Sequence, residues 1–311
     1  MKFITIVLVI LVLVQSSYTW GSWRNIFKKA AAVVQNYYQQ RQVKHVHKNN
    51  LLQRFRKQTP RQNIQTLNFH TYAQLSNAAY LPYTLDTATW TMVGSLINIQ
   101  SVDGIGMIVM HNYENICAIS LRGTASKENI WTDAKAYKTT FPQGSPMCKV
   151  HKGIYNHYLQ MKDALDVNLR QCLQYKPNAL IVVTGHSLGG AVAHFMGYHI
   201  FDLLPQRQIG SVKVITFGSP RVGNIFFASL LNSKIGLNNI ERVSYIHDPV
   251  ANNPLKRLGY YHCGLKFVCS SSTLCKLVPG PDIGENRFWR PWDKKYHSAY
   301  FQITKNCRIL Q

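Results

Sequence analysis

Short apolar runs alternate with stretches of helical periodicity along most of the chain. Two β-rich runs, residues 105–110 and 116–121, flank a polar turn and predict a hairpin. Residues 154–173 carry apolar side chains at helical spacing. The same patterns predict helices over 71–80, 188–204 and 225–231, and strands over 179–183, 211–217 and 240–246. This alternation of strand and helix indicates an α/β fold with a largely parallel central sheet flanked by helices.

The first segment has the pattern of a secretory signal. Lys2 precedes an apolar run over residues 3–14, and small or polar residues follow. A membrane-spanning helix needs about 20 apolar residues, so a cleaved signal peptide over residues 1–19 is favoured over a retained anchor. We therefore expect a secreted protein, or one in the lumen of the secretory or lysosomal pathway.

Residues 20–67 form a separate basic extension. Trp23, Phe27 and Val34 belong to a series of apolar residues near helical spacing, interspersed with Lys and Arg. A basic amphipathic helix of this kind can lie on a membrane surface. A pro-segment, or a helix that packs on the catalytic domain, is the alternative. The catalytic domain is expected over residues 68–311.

Charge narrows the class of partner. The net charge is +22, and the first 85 residues contain eleven Lys or Arg and no acidic residue. Such a field favours binding to anionic surfaces. The basic residues either form a solvated surface or bind an anionic membrane surface. No nucleic-acid-binding motif accompanies the charge, so nucleic acid is not an expected partner. The oligomeric state stays open.

Seven cysteines follow the signal segment. A secretory route permits disulfides, and an odd number leaves at least one cysteine either free or paired with another chain. Cys269 and Cys275 enclose a short Ser-rich turn and are the expected pair. Cys117 lies in a strand-like run and is the expected free thiol. A zinc site that combines His262 and Cys263 with this pair matches no common finger spacing.

The strongest chemical signal is the sequence VVTGHSLGG over residues 182–190. It contains G-x-S-x-G between a predicted strand and a predicted helix, which is the context of a nucleophile elbow. The two outer glycines allow a tight turn that exposes Ser187. A Gly-rich turn that only packs a helix on a strand is the alternative. The helix N-terminus behind the serine favours developing negative charge.

A serine nucleophile needs a base and an acid that orients the base, and this type of elbow places them in the order Ser, acid, His. Asp248 directly follows a predicted strand, as a catalytic acid should, whereas Asp202 falls inside a predicted helix. His297 is the last element of the order and is the expected base. His262 is the alternative base, and otherwise a hydrogen-bonded residue beside the site.

The attacked carbonyl needs two donors for its oxyanion. One is the backbone N–H of Leu188, the residue after the nucleophile. The second is expected from Thr124, which follows the predicted strand 116–121 and offers a backbone N–H and a hydroxyl. A capping role for Thr124 is the alternative. Each donor typically stabilises the transition state by about 3 kcal/mol.

Taken together, the motifs of residues 69–307 resemble the class 3 lipase family, the fungal-lipase-type α/β-hydrolases. They are ISLRGT (119–124), VHKGIYNHY (150–158), VTGHSLGGA (183–191), TFGSPRVGN (216–224), RVSYIHDPV (242–250), YYHCG (260–264) and YHSAYF (296–301). The resemblance implies the α/β-hydrolase fold, the catalytic roles of Ser187, Asp248 and His297, the oxyanion roles of Thr124 and Leu188, and a disulfide at Cys269 and Cys275. The loop after the acid reads Ala251-Asn252-Asn253-Pro254 instead of the family's Pro-Arg-Leu-Pro-like run.

The family resemblance also implies a mobile lid over residues 126–137. Ile130 and Tyr137 share one apolar face with Trp131 beside it, and the other face is polar. An ordinary surface helix is the alternative.

The expected activity is hydrolysis of acylglycerol esters at a lipid–water interface, without metal or cofactor. Phospholipase A1 and cell-wall or feruloyl-type esterase activity are the alternatives among enzymes. A non-catalytic relative that binds lipid surfaces is the alternative from another class.

Overall fold

The computed structural model describes residues 47–50, 53, 67–97, 105–123, 137–204, 210–278 and 294–310. Two compact units divide the chain, Met1–Asn50 and Leu51–Gln311. In the first unit, residues 47–50 are described and helical. The predicted signal peptide over 1–19 and nearly all of the extension over 20–67 lie outside the described residues. Within the described ranges, no helix is long and apolar enough to cross a membrane.

The second unit contains both helices and strands. In chain order they are α1 (Phe69–Ala78), β1 (Trp90–Ile97), β2 (Ile105–His111), β3 (Ile116–Leu121), β4 (Lys138–Thr140), β5 (Lys149–His151), α2 (Lys152–Tyr175), β6 (Leu180–His186), α3 (Leu188–Leu203), β7 (Val212–Phe217), α4 (Ile225–Leu231), β8 (Ile240–Tyr245), β9 (Leu265–Ser271), β10 (Leu274–Val278), α5 (Lys294–Ser298) and β11 (Arg308–Leu310).

Nine of these strands form one sheet in the order β1-β2-β3-β6-β7-β8-β9-β10-β11, and β4 pairs with β5 separately. Neighbours from β3 through β9 are parallel, whereas β1–β2, β2–β3 and β9–β10 are antiparallel. The predicted largely parallel sheet with flanking helices is therefore confirmed. The predicted hairpin is β2–β3, with Met110 opposite Cys117.

Successive side chains of β6 enter two different core layers, because strand residues alternate between the faces of a sheet. Ile181 and Val183 lie in a cluster with side chains of α2 and α3. Val182 lies in a second cluster with Tyr72 of α1. Helices cover both faces of the parallel strands, which explains why the predicted strand is a continuous apolar run rather than an alternating one.

The sequence patterns did not predict β1. Its register shifts between Met92 and Gly94, and a bulge of this kind breaks the period-two alternation that marks a strand.

The disulfides bring one confirmation and one correction. Cys269 and Cys275 lie directly opposite each other on β9 and β10 and form the expected disulfide. The expectation that Cys117 is free was wrong, because Cys117 on β3 pairs with Cys172 on α2. Both are fully buried in the same core cluster, where an apolar strand position faces the helix packed on the sheet. Cys148, Cys263 and Cys307 are not part of these disulfides.

Candidate active site

Ser187 lies in the turn between β6 and α3, at the carboxyl edge of the parallel strands. Its φ of 58° and ψ of −125° are rare for a residue with a side chain, and such conformations concentrate at functional sites. Two backbone hydrogen bonds hold it there: the Ser187 N–H donates to Phe217 O at 2.9 Å, and the Ala191 N–H donates to Ser187 O at 3.1 Å.

The glycines on either side of the serine are required by close backbone approach. A Cβ atom at Gly185 would lie 2.5 Å from the carbonyl carbon of Gly189, and one at Gly189 would lie 2.2 Å from Leu121 O. Such separations are too short for any side chain. The G-x-S-x-G motif therefore brings the end of β3 against the start of α3 beside Ser187.

Asp248 follows β8 and is fully buried. Three donors surround its carboxylate: the Tyr300 hydroxyl reaches Oδ2 at 2.6 Å, the Val250 N–H reaches Oδ1 at 2.8 Å, and His297 Nδ1 lies 3.0 Å from Oδ2. Burial, the largest single influence, raises the pKa of Asp248. Its interactions with His297, Tyr300 and Val250 outweigh burial and hold that pKa below its usual range. The carboxylate is thus available as a charged partner for the imidazole.

His297 belongs to the short helix α5, and its side chain is 18% exposed. Its Nδ1 is occupied by Asp248, so Nε2 is the ring nitrogen that remains for proton transfer. The ring centroid of His297 lies 4.5 Å from that of His186, the residue directly before Ser187. The structure therefore joins two of the predicted triad residues directly and brings the third into the same neighbourhood.

The other candidate histidines have different partners. His262 is buried, its Nε2 lies 2.8 Å from Ala251 O, and burial lowers its pKa well below the ordinary value. Nδ1 of His194 lies 2.9 Å from Gly190 O within α3. His247 is exposed and contacts Tyr296.

Of the two predicted oxyanion donors, the structure describes one. Leu188 is buried and is the first residue of α3, so its N–H has no carbonyl one turn earlier within the helix. Thr124 lies outside the described residues. Gly123, which precedes it, lies beside the serine: a Cβ at Gly123 would be 2.9 Å from Ser187 Cβ. The segment that leads to Thr124 therefore passes next to the predicted nucleophile.

The predicted lid is described only at its end. Ile130 and Trp131 lie outside the described residues. Tyr137 precedes β4 and is 61% exposed, and its carbonyl accepts a hydrogen bond from the Lys152 N–H at 2.9 Å.

Sequence reasoning missed three side chains that support the site. Tyr300 binds Asp248, and its position three residues after His297 in a helical stretch was an available signal. Arg221 is fully buried and donates to Asn252 O and Pro254 O, which fixes the loop after Asp248. Tyr80 lies near Ser187 but gave no sequence signal, because it comes from a turn more than a hundred positions earlier.

This constellation fits covalent acyl transfer to serine. It offers a serine at a helix N-terminus, an imidazole held by a charged carboxylate, and backbone donors beside the serine. Among the described residues, no group of three or more His, Cys, Asp or Glu is arranged to hold a metal ion. The Cys269–Cys275 disulfide also removes two ligands from the zinc site considered above.

Comparison with known proteins agrees with the motifs. The model of the class 3 lipase family matches residues 118–258, which confirms the resemblance over that stretch. The chain is 28% identical over 169 residues to the secreted mono- and diacylglycerol lipase A of Penicillium cyclopium, covering 54% of this chain and 53% of that protein. It is 28% identical over 233 residues to the secreted mono- and diacylglycerol lipase 1 of Fusarium solani, covering 67% of this chain and 65% of that protein. The match thus spans about half to two thirds of these relatives.

The fold is shared with solved structures. A fungal lipase in complex with an inhibitor superposes with a TM-score of 0.63 at 23% identity, covering 80% of this chain and 98% of that chain. The fold of this chain is therefore the α/β-hydrolase fold.

Proposed function

We propose that this chain is a secreted serine esterase that hydrolyses carboxylic ester bonds of acylglycerol lipids. The observation that carries the proposal is the pair of His297 with the buried Asp248, 3.0 Å between Oδ2 and Nδ1, beside an elbow that holds Ser187 at positive φ. The similarity to proteins named mono- and diacylglycerol lipases supports the substrate class.

In the first step, His297 Nε2 takes the proton of Ser187 as Oγ attacks the ester carbonyl carbon. A bond forms between Ser187 Oγ and the carbonyl carbon, and the carbonyl oxygen becomes an oxyanion. Asp248 stabilises the imidazolium that results. This step suits the fixed Nδ1 partner of His297, because an imidazole held on one side presents its other nitrogen in one orientation.

The oxyanion is bound by the backbone N–H groups of Leu188 and Thr124, with the N-terminal end of α3 adding favourable electrostatics. The imidazolium then protonates the alcohol oxygen as the ester bond breaks. Water, deprotonated by His297, attacks the acyl-enzyme, and Ser187 regains its proton as the fatty acid leaves. None of these steps requires a metal or a cofactor.

The remaining parts of the chain receive roles that follow from sequence. Residues 1–19 act as a signal peptide, 20–67 as a basic extension or pro-segment, and 68–311 as the catalytic domain. A secreted destination is supported by two disulfides and by relatives named as secreted. Residues 126–137, with Ile130, Trp131 and Tyr137, act as a lid over the site and meet the lipid–water interface.

The test is a set of single substitutions assayed with a soluble p-nitrophenyl ester. Ser187→Ala, Asp248→Asn and His297→Ala should each lower kcat/KM by several orders of magnitude while far-ultraviolet circular dichroism stays unchanged. A fluorophosphonate should label Ser187, as read by peptide mass spectrometry. Matched histidine controls are His247→Ala, which is exposed, and His262→Ala; both should cost far less. Loss of turnover in His262→Ala but not in His297→Ala would overturn the assignment of the base.

A substrate panel separates the finer alternatives. Triacylglycerol, diacylglycerol, a phospholipid and a feruloyl ester should be compared at equal interfacial area. Preference for acylglycerols supports the proposal, whereas faster release from the sn-1 position of phospholipid would make the enzyme a phospholipase A1. Vesicle binding without hydrolysis of any ester would indicate a non-catalytic lipid-binding protein.

A further inference from the structure

A continuous chain of hydrogen bonds connects three parts of the candidate site. The Gly123 N–H donates to Tyr80 Oη at 2.9 Å, Tyr80 Oη lies 2.8 Å from His186 Nδ1, and His186 Nε2 lies 2.7 Å from the backbone oxygen of His297. The first bond lies beside the predicted oxyanion donor Thr124. The next two are made by the ring of His186, the residue before Ser187, and the last of them ends on the backbone of the predicted base.

The chemistry of the groups determines which atom donates and which accepts in each of these three hydrogen bonds. A backbone carbonyl only accepts, so His186 Nε2 carries the proton that it gives to His297 O. In a neutral imidazole Nδ1 is then the acceptor, and the Tyr80 hydroxyl must donate to it. The oxygen of Tyr80 is left to accept the Gly123 N–H. Each polar atom thus has one compatible role.

Burial keeps this arrangement in one state. His186 is 5% exposed, and burial, followed by the nearby His297, lowers the pKa of His186 to about 3. A proton on Nδ1 would oppose the Tyr80 hydroxyl proton, so the neutral ring is the form that fits. Burial also raises the pKa of Tyr80, which keeps its hydroxyl proton in place.

We propose that Tyr80 and His186 are positioning residues that set the oxyanion segment and the base relative to Ser187. The inference rests on the proposed serine esterase function. Gly123 follows β3, His186 ends β6, and His297 belongs to α5, so no single element fixes these three parts against each other. Misplacement of reacting groups by about 1 Å can reduce a rate by about 100-fold.

The first variant is Tyr80→Phe, which removes one hydroxyl from a ring that stays in place. With a soluble p-nitrophenyl ester, kcat should fall by about 10- to 100-fold with KM unchanged, because the defect appears only in the transition state. Affinity for a trifluoromethyl ketone, which forms a tetrahedral adduct with serine, should fall by a similar factor. A role limited to stability would lower the melting temperature but leave both values unchanged in the folded protein.

The second variant is His186→Phe, whose ring neither accepts from the Tyr80 hydroxyl nor donates to His297 O. It cuts the link to Tyr80 without removing the acceptor of Gly123. The double variant with Tyr80→Phe should therefore be less slow than the product of the two single effects, since both changes break the bond between Tyr80 and His186. Tyr198→Phe is the matched control: its hydroxyl donates to Gln143 O at 3.3 Å, about three turns along α3 from Ser187, and its kcat should equal that of wild type.

The outcomes separate the two proposals. If wild type neither turns over the ester nor binds the ketone, the proposed function fails. If wild type is active and folded Tyr80→Phe keeps its kcat and ketone affinity, or if the two substitutions multiply independently, the positioning role is refuted. Should Tyr80→Phe not fold, His186→Phe decides alone by the same two measurements.

Discussion

Removal of the Cys117–Cys172 disulfide should destabilise the protein more than removal of the other disulfide. The two cysteines are 55 positions apart and fully buried. In the loop-entropy description, a crosslink at this separation stabilises the fold by about 4 kcal/mol, whereas the separation of 6 between Cys269 and Cys275 gives about 2.2 kcal/mol. The double variants Cys117→Ala/Cys172→Ala and Cys269→Ala/Cys275→Ala form a matched pair.

The measurement is urea unfolding followed by intrinsic fluorescence, with thermal unfolding as a second readout. A loss of about 4 kcal/mol corresponds to a drop in melting temperature of roughly 8–16 °C for a domain of this size. Cys148→Ala, which removes a buried thiol outside these disulfides, is the control for the loss of a buried sulfur without the loss of a crosslink. Equal losses for the two double variants, or alkylation of Cys117 in unfolded, unreduced protein, would refute this reasoning.

Two further predictions concern a buried carboxyl group and the lid. Glu241 is fully buried, and burial raises its pKa from 4.5 to about 8 while the Leu67 N–H opposes that rise. Since its charged form is disfavoured in the folded state, stability should fall as pH rises between these values. Glu241→Gln, which can still accept from Leu67, should therefore raise the melting temperature relative to wild type at pH 9 but not at pH 4; an equal change at both would contradict this. Trp131→Ser should blunt the rise in rate when an ester is taken past its solubility limit, and identical curves for variant and wild type would show that residues 126–137 are not a lid.

The parts of the fold that the sequence predicted well are those set by local patterns. The bounds of α4 follow from its apolar pattern. The strand before the elbow follows from an apolar run and from Gly185, which lies so close to the backbone of Gly189 that no side chain fits there. Asp248 could be chosen because a parallel strand delivers its following loop to the carboxyl edge. Because the base follows the acid in the order Ser, acid, His, the last motif of the chain, which contains His297, was the expected place for the base.

What could not be predicted depends on contacts between distant parts of the chain. An apolar pattern shows that Cys117 is buried but does not reveal that Cys172 faces it from α2. Similarly, nothing near Tyr80 in the sequence indicates that its hydroxyl lies between Gly123 and His186. Both interactions require the packing of helices on the sheet, which a local pattern does not encode.

The predicted base is the part of the candidate site that the sheet determines least. Ser187 and Asp248 each follow a parallel strand within a few residues, so strand pairing alone brings them to one edge. His297 comes from a helix of five residues, too short to be stable by itself. Two hydrogen bonds hold it in place, one from its ring to Asp248 and one from His186 to its backbone oxygen, and the Tyr300 hydroxyl in the following turn donates to the same carboxylate. Substitutions at His186 and Tyr300 should therefore lower catalysis, because these two side chains position the short helix α5, which strand pairing does not hold in place.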